Sequence, residues 1–334
     1  MSPNITLTSL KMASTSPLIL RVVATSVVVA NRAGEIIRDI MSKGDLGIVE
    51  KGKNDLQTEA DRSAQCSIIA SLSSQFPGVK IIGEEGDSVS SDVPSDWNVT
   101  DSDPSVLALK CPDNLKSVKE DELVIWVDPL DGTSEYTQAW ISKVTSLLDH
   151  VTVLIGVAVG NKAVGGVIHQ PYYNYLKEGA PLGRTIWGII GCGWGGFTIG
   201  SAPKDRRVIT TTRSHLDATV QSALDAMTPD EVLRVGGAGH KVMLLLEGKA
   251  NAYVFASGGC KKWDTCAPEA ILHAIGGKLT DMVQGESYHY HAEVEHRNSR
   301  GVLATAPGED HSWYFSRIPE SVRQLLSGSS TSSR

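Results

Sequence analysis

The segment VIWVDPLDGTSEY holds the most informative chemistry in the chain. An apolar run, LVIWV, delivers Asp128 at its carboxyl end, and Pro129 and Gly132 break the regular backbone around Asp131. Two carboxylates three positions apart in a tight turn can both reach one cluster of hard divalent cations, which prefer oxygen ligands. The helix expected to begin near Asp131 and Thr133 adds backbone N–H groups and a positive dipole end, suited to an anion. Taken alone, the segment is equally consistent with an Asp-rich turn in which Asp131 caps a helix. The spacing excludes an aspartyl-phosphate enzyme, whose acids stand one residue apart, and no run of alternating oxygen ligands forms an EF-hand loop.

Three further segments each set an acid at the end of an element. Gly83-Glu84-Glu85 follows the strand-like VKII, Trp263-Asp264 follows the strand-like AYVFA and precedes a helix opened by Pro268, and Asp55 in NDLQTEADR lies just ahead of a helix. Acids gathered so closely repel one another and need a cation to remain ionised.

The elements that must position these acids can be read from periodicity. A helix is expected from about Pro17 to Met41, with Ile19, Val22, Val23, Val27, Ala30, Ala33 and Ile37 on one broad face and Gly44 and Gly47 beyond its end. A second is expected from Leu56 to Phe76. Residues 86–121, rich in Ser, Asp and Pro, are expected to form a surface excursion. After LVIWV, the runs VTVLIGVAV, AVGGVIHQ, YYNYL and RTIWGIIG predict antiparallel hairpins. Beyond Gly200, strands RVITTT, LRV and AYVFA alternate with helices near Ser214–Met227, Lys241–Glu247 and Pro268–Ala274, an α/β pattern. Gly191–Gly196 satisfies G-x-G-x-x-G, but no helix follows, so a hairpin turn is expected instead of a dinucleotide site.

The chain has 334 residues and a net charge of −7, so its surface as a whole does not attract a nucleic-acid polymer or an anionic membrane. An anionic substrate would then need a local device, and bound divalent cations are the obvious one. The five cysteines, Cys66, Cys111, Cys192, Cys260 and Cys266, are scattered without a C-x-x-C pair, which points to reduced thiols in a cytoplasmic protein. The apolar stretch Leu18–Ala30 is interrupted by Arg21, Thr25 and Ser26 and is too short to span a membrane.

GEE, WVDPLDGTSEY and WDTCAPEAILHAIGG together resemble the lithium-sensitive, magnesium-dependent phosphomonoesterases that include inositol monophosphatase. GDLGIVEK, DLQTEADR, GVIHQPYYNY, LGRTIWG, ITTTRSH, VLRVGGAG, YVFASGGCKKWDTCAPE and GVLAT resemble the bisphosphate-nucleotidase branch, over roughly residues 18–325. The resemblance implies an α/β fold, a layered αβαβα sandwich with an antiparallel-rich first sheet and a smaller α/β half. The expected division is a disordered tail over 1–16, an α+β domain over 17–200 with most metal ligands, an α/β domain over 201–326, and a disordered tail over 327–334. It implies two or three Mg2+ ions: one held by Glu84, Asp128 and the Leu130 carbonyl, a second by Asp128, Asp131 and Asp264. Asp55 and Thr133 are expected to act on the attacking water, with Glu85 standing behind the ligands. Thr212, His215, Gly237 and Lys241 are expected to contact substrate, the glycine-rich turn exposing N–H groups to phosphate and Lys241 adding a point charge.

The implied reaction removes the 3′-phosphate of adenosine 3′,5′-bisphosphate, with its sulfated analogue as a further substrate; the closest rival reading is an inositol polyphosphate 1-phosphatase or inositol monophosphatase of the same fold. A non-catalytic nucleotide or metal sensor is the alternative of another class, disfavoured because binding alone needs no water-activating pair. The working unit is expected to be a monomer acting on a small molecule. Two departures from the branch stand out: the connection QAWISKVTSLLDH after Thr137 is several residues longer, and His240 replaces an amide residue.

Overall fold

The computed structural model describes residues 15–52, 55–86, 93–214 and 217–328, so the tails expected to be disordered fall largely outside it, as does His215. Helix α1 (Leu18–Lys43) buries almost every apolar side chain and ends at Gly44, whose φ of +80° only glycine adopts freely. A short hairpin of β1 (Val49–Gly52) and β2 (Asp55–Gln57) follows, and α2 (Glu59–Gln75) starts at Thr58. The expected helix from Leu56 therefore begins three residues later. Thr58 and Asp61 form a reciprocal capping box, which fixes the start, and residues 55–57 pair as a strand instead.

A six-stranded sheet follows: β3 (Lys80–Gly83), β4 (Leu123–Asp131), β5 (Thr152–Val159), β6 (Lys162–Gln170), β7 (Arg184–Ile189) and β8 (Gly193–Gly195), paired in that order. All neighbours are antiparallel except β3 and β4. Helix α3 (Thr133–Ser142) leaves the end of β4, and the glycine-rich 191–196 segment is the β7–β8 hairpin expected of it. The run YYNYL lies in turns at 171–176 and forms no strand.

The second sheet, ordered β10-β9-β11-β13-β12, comprises β9 (Val208–Thr212), β10 (Glu231–Val235), β11 (Ala252–Phe255), β12 (Lys278–Thr280) and β13 (Val302–Thr305). Helix α4 (Ala218–Met227) connects β9 to β10, α5 (Ala238–Leu246) connects β10 to β11, and α6 (Lys262–Ala274) follows β11; α7 (His311–Ser316) and α8 (Glu320–Gly328) close the described chain. Pro268 lies inside α6 and does not open it, so Asp264 sits in the first turn. The apolar clusters define five layers: α1 and α2, the six-stranded sheet, α5 and α6, the second sheet, then α4, α7 and α8. Among the described residues no helix is long and apolar enough to cross a membrane.

Helix α6, which carries Asp264, lies directly on glycines of the first sheet. A Cβ at Gly156 would fall 2.5 Å from Cβ of Cys266, and one at Gly166 would fall 2.3 Å from the Ala267 carbonyl oxygen. Bare backbone at these positions lets helix and sheet approach within contact. Gly166→Ala therefore has to push α6 away, and overpacking of this kind costs about 1–3 kcal/mol. A urea midpoint equal to that of the parent protein would contradict this packing account.

Candidate active site

The acids converge because β4 does not run straight through them. Asp128 pairs with Leu154 and Asp131 with Thr152, so three steps on β4 face two on β5. Pro129 lies within this bulge, where its missing N–H disrupts no regular ladder. The bulge turns Asp128 and Asp131 toward one point, and Gly132, at φ +92°, swings the chain into α3. Asp264 arrives from the first turn of α6, its Oδ2 accepting the Lys261 N–H at 2.6 Å. Carboxylate oxygens of Asp128, Asp131 and Asp264 all lie within 4.8 Å of one another. Glu84 joins from the end of β3, its backbone N–H bonded to the Val127 carbonyl at 3.0 Å beside Asp128.

Burial and mutual repulsion dominate the electrostatics. Burial first, then Lys51 in opposition and the neighbouring acids in support, pushes the Glu84 carboxyl up to about 8. Asp131 rises to about 6 by burial and the Asp264 charge, and Asp128 and Asp264 rise for the same leading reason, burial. The folded form thus holds protons that the unfolded chain has lost, so without a cation stability is lost as pH rises from the ordinary 4.5 of Glu84 toward about 8. An all-oxygen, acid-rich donor set of this kind suits a hard divalent cation and disfavours softer ones.

Lys51, on the β1–β2 hairpin, reaches Glu84 at 3.4 Å and Glu85 at 2.8 Å. Glu85 also accepts the Gln57 amide, which places it behind Glu84.

The Thr133 hydroxyl lies 2.9 Å from Asp61 Oδ1 and 2.9 Å from the Leu130 carbonyl. Asp61, fully buried, takes the Thr58 N–H at 2.7 Å and the Thr58 hydroxyl at 2.5 Å on its other oxygen. The acid that meets Thr133 is therefore Asp61, which the sequence reading passed over for Asp55; the side chain of Asp55 lies outside what the structure describes. The T-x-x-D pattern of Thr58 to Asp61 was the available signal, because an acid fixed in a buried first turn has a defined direction.

The glycine-rich turn at 236–239 also differs from expectation. The N–H groups of Ala238 and Gly239, at the start of α5, donate to Asp131 Oδ1 and Oδ2 at 2.8 Å each, and Thr152 Oγ1 donates to Oδ2 at 2.7 Å. The helix terminus thus orients a protein carboxylate. Gly237, at φ +68°, and Gly239 permit the approach: a Cβ on either would lie within 3.2 Å of Asp131 Oδ2. Lys241 is buried, 6% exposed, with its ammonium donating to the Gly237 carbonyl at 2.8 Å. Burial lowers its pKa, and the charge of Asp131 leads the groups that oppose this. Thr212 ends β9, its hydroxyl accepting the Ser214 N–H at 3.3 Å.

Comparison with known proteins places the chain in a family. The profile of the Inositol monophosphatase family matches residues 20–323. The chain is 53% identical over 317 residues to the Homo sapiens protein named 3′(2′),5′-bisphosphate nucleotidase 1, covering 94% of this chain and 99% of that one. It is 38% identical to the Dictyostelium discoideum protein of the same name, over 86% and 93% of the two chains. Among solved structures, the extragenic suppressor protein suhB of Bartonella henselae shares the fold at a TM-score of 0.63 and 18% identity, over 89% and 97%. A profile match spanning nearly the whole fold, joined to relatives of such identity, means that the chain belongs to the inositol monophosphatase family.

Proposed function

We propose that the chain is a magnesium-dependent phosphatase that removes the 3′-phosphate of adenosine 3′,5′-bisphosphate, giving the 5′-monophosphate and inorganic phosphate. The observation that carries the reading is the oxygen cluster of Asp128, Asp131 and Asp264 beside a Thr133 hydroxyl held by Asp61. The identity to proteins named for this reaction supports the substrate. Glu84, Asp128, the Leu130 carbonyl, Asp131 and Asp264 would hold the ions. Bound magnesium supplies Lewis acidity and neutralises charge gathering on the phosphoryl group and leaving oxygen.

The chain's own residues supply the proton path. With its hydrogen directed to Asp61, the Thr133 oxygen keeps lone pairs that accept a hydrogen bond from water. As that water attacks phosphorus and the bond to the 3′-oxygen breaks, its proton passes through the Thr133 hydroxyl to Asp61. The leaving 3′-oxygen takes a proton from solvent water, and Asp61 gives its own back to solvent before the next turnover. Asp61, pushed up to about 6 mainly by burial, suits this task near neutral pH, where a general base works best. The working unit is taken as one chain, since every acid invoked belongs to it. Five free cysteines fit a reducing cytoplasm.

Phosphate release from adenosine 3′,5′-bisphosphate in magnesium tests the reading. Asp61→Asn keeps the shape but cannot take the proton, and its kcat is expected to fall by a factor on the order of 100 or more. Activity within about threefold of the parent would remove Asp61 from the mechanism. Lys241 and Thr212 belong to the substrate side of the same reading. Loss of a buried charge partner costs about 2–5 kcal/mol, so Lys241→Ala should lower kcat/KM for the bisphosphate about thirtyfold or more. Activity on the 3′-monophosphate, which lacks the 5′ group, should change little. Equal losses on both substrates would instead assign Lys241 to the metal ligands it faces.

A further inference from the structure

The turn that aims Asp131 is itself enclosed by the chain that follows Asp131. On one side stands Glu135 of α3, paired with Arg213 at 2.8 Å; a Cβ at Gly236 would lie 2.1 Å from its carboxyl carbon. On another stands His150, the last residue of a 3-10 turn (Thr145–His150) within the long connection from α3 to β5. Its carbonyl oxygen would meet a Cβ at Gly237 at 2.5 Å and one at Gly132 at 3.2 Å, so the same atom spaces the turn after β4 from the turn before α5. Its ring Nδ1 lies 3.3 Å from the Gly236 N–H, and the ring sits 4.7 Å from that of His240, tilted by 35°. The two places where the sequence departs from the bisphosphate-nucleotidase branch, the long connection and His240, therefore touch each other at the back of the metal cluster.

We infer that His150 is a positioning residue for the metal site: its Nδ1 and carbonyl set the height of the Gly236–Gly239 turn, so that the Ala238 and Gly239 N–H groups meet the Asp131 carboxylate. The inference rests on the reading of Asp131 as a magnesium ligand. For Nδ1 to accept the Gly236 N–H, the ring carries its hydrogen on Nε2. Removing that acceptor leaves the first N–H of the turn unheld and frees the two that follow it to drift from Asp131. The cost then falls on metal affinity before it falls on the fold.

The test uses no substrate. The full chain, stripped of metal and titrated with magnesium chloride, is followed by its melting temperature. His150→Leu keeps bulk and removes the acceptor; loss of about one net hydrogen bond should raise the magnesium concentration for half-maximal stabilisation about five- to tenfold. His150→Asn, which retains an acceptor on a short planar side chain, should stay within about twofold of the parent by the same reasoning. His150→Ala carries the same expectation as the leucine variant and replaces it if that variant does not fold. Equal midpoint shifts in the Asn and Leu variants, or a lower metal-free melting temperature with an unmoved magnesium midpoint, would overturn the inference and leave the site reading intact. A parent protein that magnesium does not stabilise would overturn both.

Discussion

Carboxylates that repel one another are forced together here, and the rest of the fold can be read as what holds them. Glu84, Asp128, Asp131 and Asp264 come from three separated stretches, and burial raises the pKa of each. No single contact offsets that. The bulge in β4 turns Asp128 and Asp131, the capping geometry holds Asp264, and the two N–H groups from α5 fix Asp131 further. A cation of high charge density completes an arrangement that the protein alone leaves strained in charge.

The same constraint explains the glycines. Gly156 and Gly166 let α6 lie on the first sheet, which fixes where Asp264 enters, and Gly237 and Gly239 let α5 begin against the β4 bulge. The middle helical layer is therefore both packing and site. Its N-termini point at the cluster, where their N–H groups stabilise negative charge. A stability change in this layer and a change in metal binding are expected to be linked for that reason, whereas substitutions in α4, α7 or α8 on the outer face should affect stability alone.

Much of this was legible in the sequence, because the signals were local. The WVDPLDGTSEY turn, the acids after VKII and AYVFA, and the alternation of strands and helices past Gly200 all depend on short-range pattern. What was missed depended on contacts between distant segments. Asp61 and Asp55 both lie in DLQTEADR, and only the folded position of α2 against α3 shows that Asp61 meets Thr133, 72 positions away. The start of α2 at Glu59 and the inclusion of Trp263 and Asp264 within α6 were set by caps whose partners are side chains. The glycine turn reads equally as a phosphate cradle or as a support for a protein carboxylate. Spacing cannot separate the two, since both need close approach to backbone N–H groups.

The central claim is that a proton-holding acid cluster waits for magnesium. It is tested most directly by calorimetric titration of the metal-free protein at pH 7, in buffers that differ in ionisation enthalpy. With the Glu84 carboxyl at about 8, most of it is protonated at that pH and must ionise to ligate. The account predicts saturable magnesium binding with release of about one proton per chain or more, seen as a heat that depends on the buffer. Heat that does not saturate, or saturable binding with the same heat in every buffer, would contradict it.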